Sequence, residues 1–77
     1  MKAIVTVKLK NGVLDPQGKA IAHTLNDIGF GEVESARQGK VIELDLADNT
    51  PESKVQEMCD KLLSNPVIES YEIEMVA

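Results

Sequence analysis

Apolar and polar residues alternate along three stretches of the chain, residues 2–10, 41–46 and 67–76. A period of two residues is typical of strands that bury one face. A fourth stretch, residues 31–38, is mostly polar, and the sequence predicts a weak strand there, at a sheet edge. The residues predicted to point inward from the three clear strands are Ala3, Val5, Val7, Leu9, Ile42, Leu44, Leu46, Val67, Tyr71, Ile73 and Met75.

Two intervening stretches have the period of an amphipathic helix. The first begins at Asp15-Pro16, because aspartate is a preferred N-cap and proline suits the first helical position, and Gly29 supplies its C-terminal stop. The second opens at Thr50-Pro51-Glu52 in the same manner and ends before Pro66. The predicted apolar stripes are Ile21, Leu25 and Ile28 on the first helix, and Val55, Met58, Cys59, Leu62 and Leu63 on the second.

The element order β-α-β-β-α-β predicts a two-layer α+β fold, a ferredoxin-like plait formed by residues 1–77 as a single domain. Right-handed crossovers would place both helices on one face of the antiparallel sheet. On the open face, lysines of the first strand would lie between acidic neighbours, if that strand is central. An apolar seam on the same face favours association with a second copy or a partner. The seam residues are Ile4, Val41, Ile68 and Val76.

Gly18 is an unusual residue for the first turn of a helix, where glycine costs about 0.5–1 kcal/mol relative to alanine. Close approach of another backbone or of a partner would explain it. The alternative is that glycine arose by neutral drift at a position where many residues are tolerated.

Composition narrows the classes of partner. A net charge of −5 argues against binding a phosphate backbone. The single cysteine leaves no pair for a disulfide or a cysteine metal site. The alternating start does not resemble a signal peptide, and no stretch approaches the ~18 apolar residues that cross a bilayer. We therefore expect a cytoplasmic chain with neither nucleic acid nor membrane as a partner.

The candidate chemistry is sparse. His23 is predicted to face solvent, and Cys59 lies on a buried stripe, where a thiol behaves as a small hydrophobe. No glycine-rich phosphate loop of known spacing is present. An anion at the first helix N-terminus would compete with Asp15. We expect no catalytic residue, no metal site and no bound cofactor.

Four strings of the sequence together resemble the PurS family, the small subunits of phosphoribosylformylglycinamidine (FGAM) synthase. They are GVLDPQG at residues 12–18, LNDIGF at 25–30, GKVIEL at 39–44 and LLSNPVIESYEI at 62–73. The resemblance extends over essentially the whole chain. Any one of these strings alone would be weak, whereas the combination is specific.

The resemblance implies a role in purine biosynthesis. The family's enzyme makes FGAM from formylglycinamide ribonucleotide (FGAR), glutamine and ATP. A glutaminase subunit releases ammonia, and a synthetase subunit activates the substrate amide with ATP and Mg. The small subunit is implied to be a non-catalytic dimer that joins the other two and helps ammonia to pass between them. Pairing of the dimer into a tetramer is left open.

Partner contacts are expected in three loops. The candidate residues are Asp15, Gln17, Gly18, Arg37, Lys40, Asn65 and Glu69. The alternative function is a small-molecule sensor of the ACT type, which shares this element order and could use the turn at Gly12. An RNA-binding plait is disfavoured because the sheet lacks stacking aromatics, and a metal-carrier plait because paired cysteines are missing.

Overall fold

The computed structural model describes all 77 residues and contains three strands and two helices. In chain order they are β1 (Lys2–Leu9), α1 (Pro16–Asp27), β2 (Gly39–Asp45), α2 (Glu52–Met58) and β3 (Glu69–Val76). A π-helical turn, Cys59–Leu63, continues α2. The strands form one antiparallel sheet in the order β2-β1-β3. The predicted α+β class is confirmed, and β1 is the central strand.

The core lies between β1 and α2. Val5 pairs with Ile42 on one side and with Ile73 on the other, so the alternation of all three strands is in register. Ala3, Val5 and Val7 are fully buried, together with Val55 and Cys59 of the second helix and its π-turn. Five buried apolar side chains make a small core for a chain of this length.

The predicted edge strand at residues 31–38 is wrong, since this segment pairs with no strand. Val33 and Ala36 are its only apolar side chains, which is too few to hold it on a pleated, half-buried surface. The Asn26 side-chain amide instead donates to the Val33 carbonyl at 2.9 Å and ties the segment to α1. Residues 31–38 therefore run beside the helix.

The first helix adds no residue to the buried apolar cluster, whose helical members are Val55 and Cys59. The connection through α1 joins the antiparallel pair β1 and β2. β1 is about 26 Å long, and α1 is about 18 Å long. Laid end to end, the two elements account for most of the 48 Å long axis of the molecule. Residues 11–38 therefore form a projecting arm.

The radius of gyration supports the same description. It is 15.8 Å, whereas a compact domain of this length is expected to have about 11.5 Å. The arm leaves Ile21 and Ile28 exposed by 42% and 64%.

The second helix differs from the prediction at both ends. Pro51 is its N-cap residue and makes no side-chain capping bond. The Thr50 hydroxyl donates to the Ala47 carbonyl instead. The π-turn is wider than an α-turn, so it shifts the apolar stripe. As a result Leu62 is 83% exposed, although it was predicted to be buried.

The open face of the sheet has the predicted charge pattern. Lys2 lies between β2 and β3, and its ammonium is 3.4 Å from the Glu43 carboxylate. By register, Val41, Ile4 and Val76 are diagonal neighbours across this face. Ile68, the fourth predicted member of the apolar seam, precedes β3.

Candidate functional site

The three predicted contact loops meet at one end of the sheet. β1 ends there at Leu9, whereas β2 and β3 begin there, at Gly39 and Glu69. The register places Lys8 opposite Gly39, and Leu9 opposite Glu69. The antiparallel order thus brings together loops that are about 20 to 50 residues apart in sequence. The seven candidate residues surround this end.

Asp15 links the β1–α1 loop to the start of β2. Its carboxylate accepts a hydrogen bond from the Gln38 backbone N–H at 2.7 Å and another from the Gly18 N–H at 2.9 Å. The second bond is the predicted N-cap of α1. These two donors, with Gln38 the larger cause, hold the pKa of the Asp15 carboxyl below its ordinary value of 3.8. Asp15 is buried, so its function is to fix the loops rather than to offer a charge to solvent.

Gly18 is explained by close approach of another backbone, one of the two causes predicted. A Cβ at this position would overlap the Ala36 carbonyl oxygen and would lie 2.8 Å from Asp15 Oδ2. The residue is buried, and its N–H is the one that Asp15 accepts. Glycine is therefore needed here by the contact between α1 and the returning segment of the same chain.

Arg37 makes its hydrogen bonds within the chain. Its guanidinium donates to the Val13 carbonyl at 2.9 Å and to the Lys10 carbonyl at 3.1 Å. These carbonyls belong to the turn around Gly12, whose φ of +85° favours glycine. Arg37 therefore joins the two ends of the arm, as Asp15 does from the other side.

The Asn65–Glu69 loop is closed by its own side chains. Asn65 Oδ1 accepts from the Val67 N–H at 3.0 Å, and the Glu69 carboxylate accepts from the Asn65 N–H at 2.7 Å. The Lys10 ammonium donates to the Pro66 carbonyl at 2.7 Å and attaches the loop to the end of β1. This loop therefore has a fixed shape set by internal bonds.

Lys40 and Gln17 line a polar cleft of about 220 Å³ between the three loops. The Lys40 ammonium has neither an ion pair nor a hydrogen bond within the chain. The Gln17 side chain accepts from the Gln38 amide. Of the seven candidates, Lys40 is the one charged residue whose side chain remains free for a partner.

The sequence prediction missed Gln38 and Lys10, which hold the site together through the bonds described above. Gln38 contributes chiefly its backbone N–H, so its side-chain type gives no signal. Lys10 looked like one more strand lysine. A further miss is Gly39, where a Cβ would lie 2.6 Å from the Val7 carbonyl oxygen.

A larger groove of about 450 Å³ lies between the two halves of the arm and is lined by residues 12–15, Lys19, Ala22 and residues 34–37.

The reactive side chains of His23 and Cys59 line neither the polar cleft nor this groove. His23 is 79% exposed on α1, with Nε2 3.3 Å from the Asp27 carboxylate. Burial raises the pKa of the Cys59 thiol above its ordinary 9.0, and the neighbouring Asp60 charge adds to the effect. The geometry describes a shaped surface rather than a nucleophile with its base.

Two further observations concern sites that are not formed. No group of three or more His, Cys, Asp or Glu side chains lies close enough together to hold a metal ion. Neither helix has the length and apolar composition that crossing a bilayer would require.

Comparison with known proteins identifies the family. The family model described as "PurS: Phosphoribosylformylglycinamidine (FGAM) synthase" matches residues 2–77. The chain belongs to the PurS family. The resemblance inferred from the four sequence strings is thereby confirmed.

Curated and solved members of the PurS family match over nearly their whole length. The PurS subunit of FGAM synthase from Methanocaldococcus jannaschii is 44% identical in an alignment that covers 96% of this chain and 93% of that protein. The crystal structure of Bacillus subtilis PurS has a TM-score of 0.85 at 47% identity, covering 95% of this chain and 94% of that chain.

A third PurS neighbour comes from a multisubunit structure. A chain of the PurLQS structure from Thermotoga maritima has a TM-score of 0.84 at 32% identity, covering 97% of this chain and 95% of that chain. At this identity and coverage the likeness extends from the fold to the family. These PurS matches support the small-subunit interpretation and not the ACT-type sensor.

Proposed function

We propose that this chain is the non-catalytic small subunit of an FGAM synthase complex in purine biosynthesis. It joins the glutaminase subunit to the synthetase subunit and assists the transfer of ammonia between them. It binds no cofactor itself, and ATP and Mg are used elsewhere in the complex. The proposal includes a cytoplasmic location.

The observation that carries the proposal is the full-length likeness to a chain of the T. maritima PurLQS structure. A second, independent support is the chemistry of the candidate residues, which form a fixed surface and include one free cation, Lys40. Such a surface suits recognition better than covalent catalysis.

A subunit that joins the two enzyme subunits would keep ammonia from escaping between their active sites. Ammonia that escapes into water near neutral pH is protonated and loses the lone pair that attacks the substrate. Holding the two active sites together keeps the effective concentration of the nucleophile high. Closing the route between them excludes water and its protons.

The end of the sheet that carries the polar cleft is the proposed contact with the partner subunits. Asp15, Arg37 and Asn65 fix the shape of this end through internal bonds. Lys40 then supplies the charge that a partner carboxylate would pair with, a contact that contributes chiefly specificity and a faster encounter. The roles of the candidates thus divide into positioning and contact.

Self-association as a homodimer belongs to the same proposal. The core has five buried apolar residues, whereas several large apolar side chains are exposed. Small domains commonly complete such a core by oligomerisation. The diagonal of Val41, Ile4 and Val76 on the open face is a candidate surface for pairing dimers into a tetramer.

The experiment is a matched pair of charge reversals, Lys40→Glu and Lys54→Glu. Both lysines are exposed and make no ion pair, but only Lys40 lines the cleft. Each variant is mixed with the glutaminase and synthetase subunits, and complex formation is followed by size-exclusion chromatography with light scattering. We expect Lys40→Glu to weaken assembly and Lys54→Glu to leave it unchanged. Equal behaviour of the two variants would reject the cleft as the contact surface.

A further inference from the structure

We propose that Leu62 and Val67 anchor this chain in an uncharged apolar pocket on one of the larger subunits of its complex. The proposal rests on the proposed function and adds to it a second contact surface with its own chemistry. Both side chains were predicted to be buried, but they are exposed by 83% and 78%. No other large apolar side chain of this chain is as exposed as these two.

The π-turn that continues α2 fixes the position of Leu62. The turn is closed by a hydrogen bond from the Ser64 N–H to the Cys59 carbonyl at 2.9 Å. Leu63 packs against the buried cluster, whereas Leu62, one position earlier, lies in solvent. π-turns are rare, and they are found frequently at functional sites. Leu62 is thus presented by a hydrogen-bonded helical turn rather than by a flexible loop.

Val67 is presented by the loop that precedes β3. Its backbone N–H donates to Asn65 Oδ1 at 3.0 Å, and Pro66 before it has a restricted φ. The Asn65 carbonyl accepts a hydrogen bond from the Glu69 N–H at 2.7 Å, which closes the loop. Because β3 begins only at Glu69, Val67 lies outside the sheet and its apolar face. Its backbone is therefore fixed in an exposed position before any partner binds.

Ser64, between the two apolar side chains, is a further departure from what folding alone favours. It is only 6% exposed, and its hydroxyl finds no hydrogen-bond partner within the chain. A buried polar group without a partner destabilises a fold. Residues 59–67 thus combine a rare turn, an unpaired buried hydroxyl and two exposed apolar side chains. Such a combination is expected where function, rather than stability, determines the local conformation.

The charged groups around this segment are already bonded within the chain. The Lys61 ammonium is 3.0 Å from the Glu57 carboxylate. The Asp60 carboxylate accepts a hydrogen bond from the Tyr71 hydroxyl at 3.1 Å, and the Glu69 carboxylate binds the loop itself. A partner that approached with a charge would have to compete with these bonds, whereas an apolar pocket leaves them intact. The chemistry of the segment therefore fits an uncharged apolar pocket.

A larger subunit of the complex is the occupant that fits this position. The loop ends at Glu69, which also lines the polar cleft that is the proposed contact with the partner subunits. The two apolar side chains therefore continue that contact along the same end of the sheet. A bilayer is a poor alternative, because anionic lipids would repel a chain with a net charge of −5. Since both backbone positions are fixed beforehand, little conformational freedom is lost when the pocket is filled.

The test measures the Kd of the chain for each larger subunit, and for both together, by isothermal titration calorimetry. Leu62→Asn and Val67→Thr nearly keep the size of each side chain but make it polar. Lys61→Gln is the matched control, because it is exposed beside Leu62 and removes a charge instead of apolar surface. The native mass of each free variant is measured by light scattering, and its Tm by circular dichroism.

We expect Leu62→Asn and Val67→Thr each to raise the Kd for one larger subunit by about tenfold or more. Lys61→Gln should change it by less than about twofold, because an exposed ion pair contributes little. The Tm of the free chain should not change, since neither apolar side chain is buried in it.

An unchanged Kd for Leu62→Asn, or an equal rise for Lys61→Gln, would overturn the proposal. A lower native mass of Leu62→Asn or Val67→Thr would also overturn it, because a second copy would then cover the segment. Failure of the wild-type chain to bind either larger subunit would reject the proposed function and this inference together. Normal binding by the wild type and by both variants would reject this inference alone.

Discussion

Replacing Gly18 by alanine should destabilise the chain, although the same change in an ordinary helix is stabilising. Alanine improves helix propensity by about 0.5–1 kcal/mol. Here its Cβ would overlap the Ala36 carbonyl and press on the Asp15 carboxylate. Neither neighbour is the end of a flexible side chain, because Ala36 offers backbone and Asp15 is held by two hydrogen bonds.

The expected size follows from these opposing effects. Forcing an extra methyl group into a packed site typically costs about 1–3 kcal/mol. Subtracting the gain in helix propensity leaves a net loss of up to about 2.5 kcal/mol. For a domain of this length, each 1 kcal/mol lowers Tm by about 4–8 °C.

Gly31→Ala is the matched control. A Cβ there would meet nothing closer than Asn26 Oδ1 at 4.0 Å. The same substitution should therefore be neutral or stabilise by up to about 1 kcal/mol. Urea unfolding followed by far-ultraviolet circular dichroism, at one fixed protein concentration because of self-association, measures both changes. A Gly18→Ala variant at least as stable as Gly31→Ala would refute the role assigned to the Ala36 contact.

Three further predictions concern titratable groups. Hydrogen bonds lower the pKa of Asp15 below 3.8 in the folded state. The free energy that Asp15 adds to folding should therefore be complete above pH 3.8 and be lost as the pH falls below that value. Thermal unfolding should thus show Asp15→Asn less stable than wild type at pH 7 and similar to it near pH 2, and a constant difference would contradict this. The buried Cys59 thiol should resist iodoacetamide at pH 8 until urea unfolds the chain, as read by mass spectrometry. Tyr71 is the only tyrosine, and its titration can be followed by absorbance at 295 nm. Its midpoint should lie above pH 10.0, because partial burial and the hydrogen bond to Asp60 raise its pKa. Asp60→Asn should lower that midpoint, and an unchanged midpoint would exclude the Asp60 contribution.

Local signals in the sequence predicted most of the fold. The alternation that gave β1, β2 and β3 depends only on which face of a strand is buried, and the register keeps Val5 between Ile42 and Ile73. Asp15 and Gly29 marked the ends of α1 because their preferences depend on backbone geometry within a few residues. The family resemblance rested on such short strings as well.

The arm and the assignment of site roles were not predictable in the same way. Whether residues 31–38 join the sheet depends on tertiary contacts of Asn26, Asp15 and Arg37 that no periodicity reveals. The π-turn that rotates Leu62 outward is likewise not visible in the helical periodicity of the sequence. The sequence singled out the right loops, but it did not separate positioning residues from the free cation at Lys40.

The proposed function is tested most directly by reconstituting FGAM synthesis from the glutaminase subunit, the synthetase subunit and this chain. FGAM formation is measured with glutamine as the nitrogen source and, in parallel, with ammonium. We predict that adding the chain stimulates the glutamine-dependent reaction strongly and changes the ammonium-dependent reaction little. Glutamine-dependent synthesis at the same rate with and without the chain would contradict the proposal.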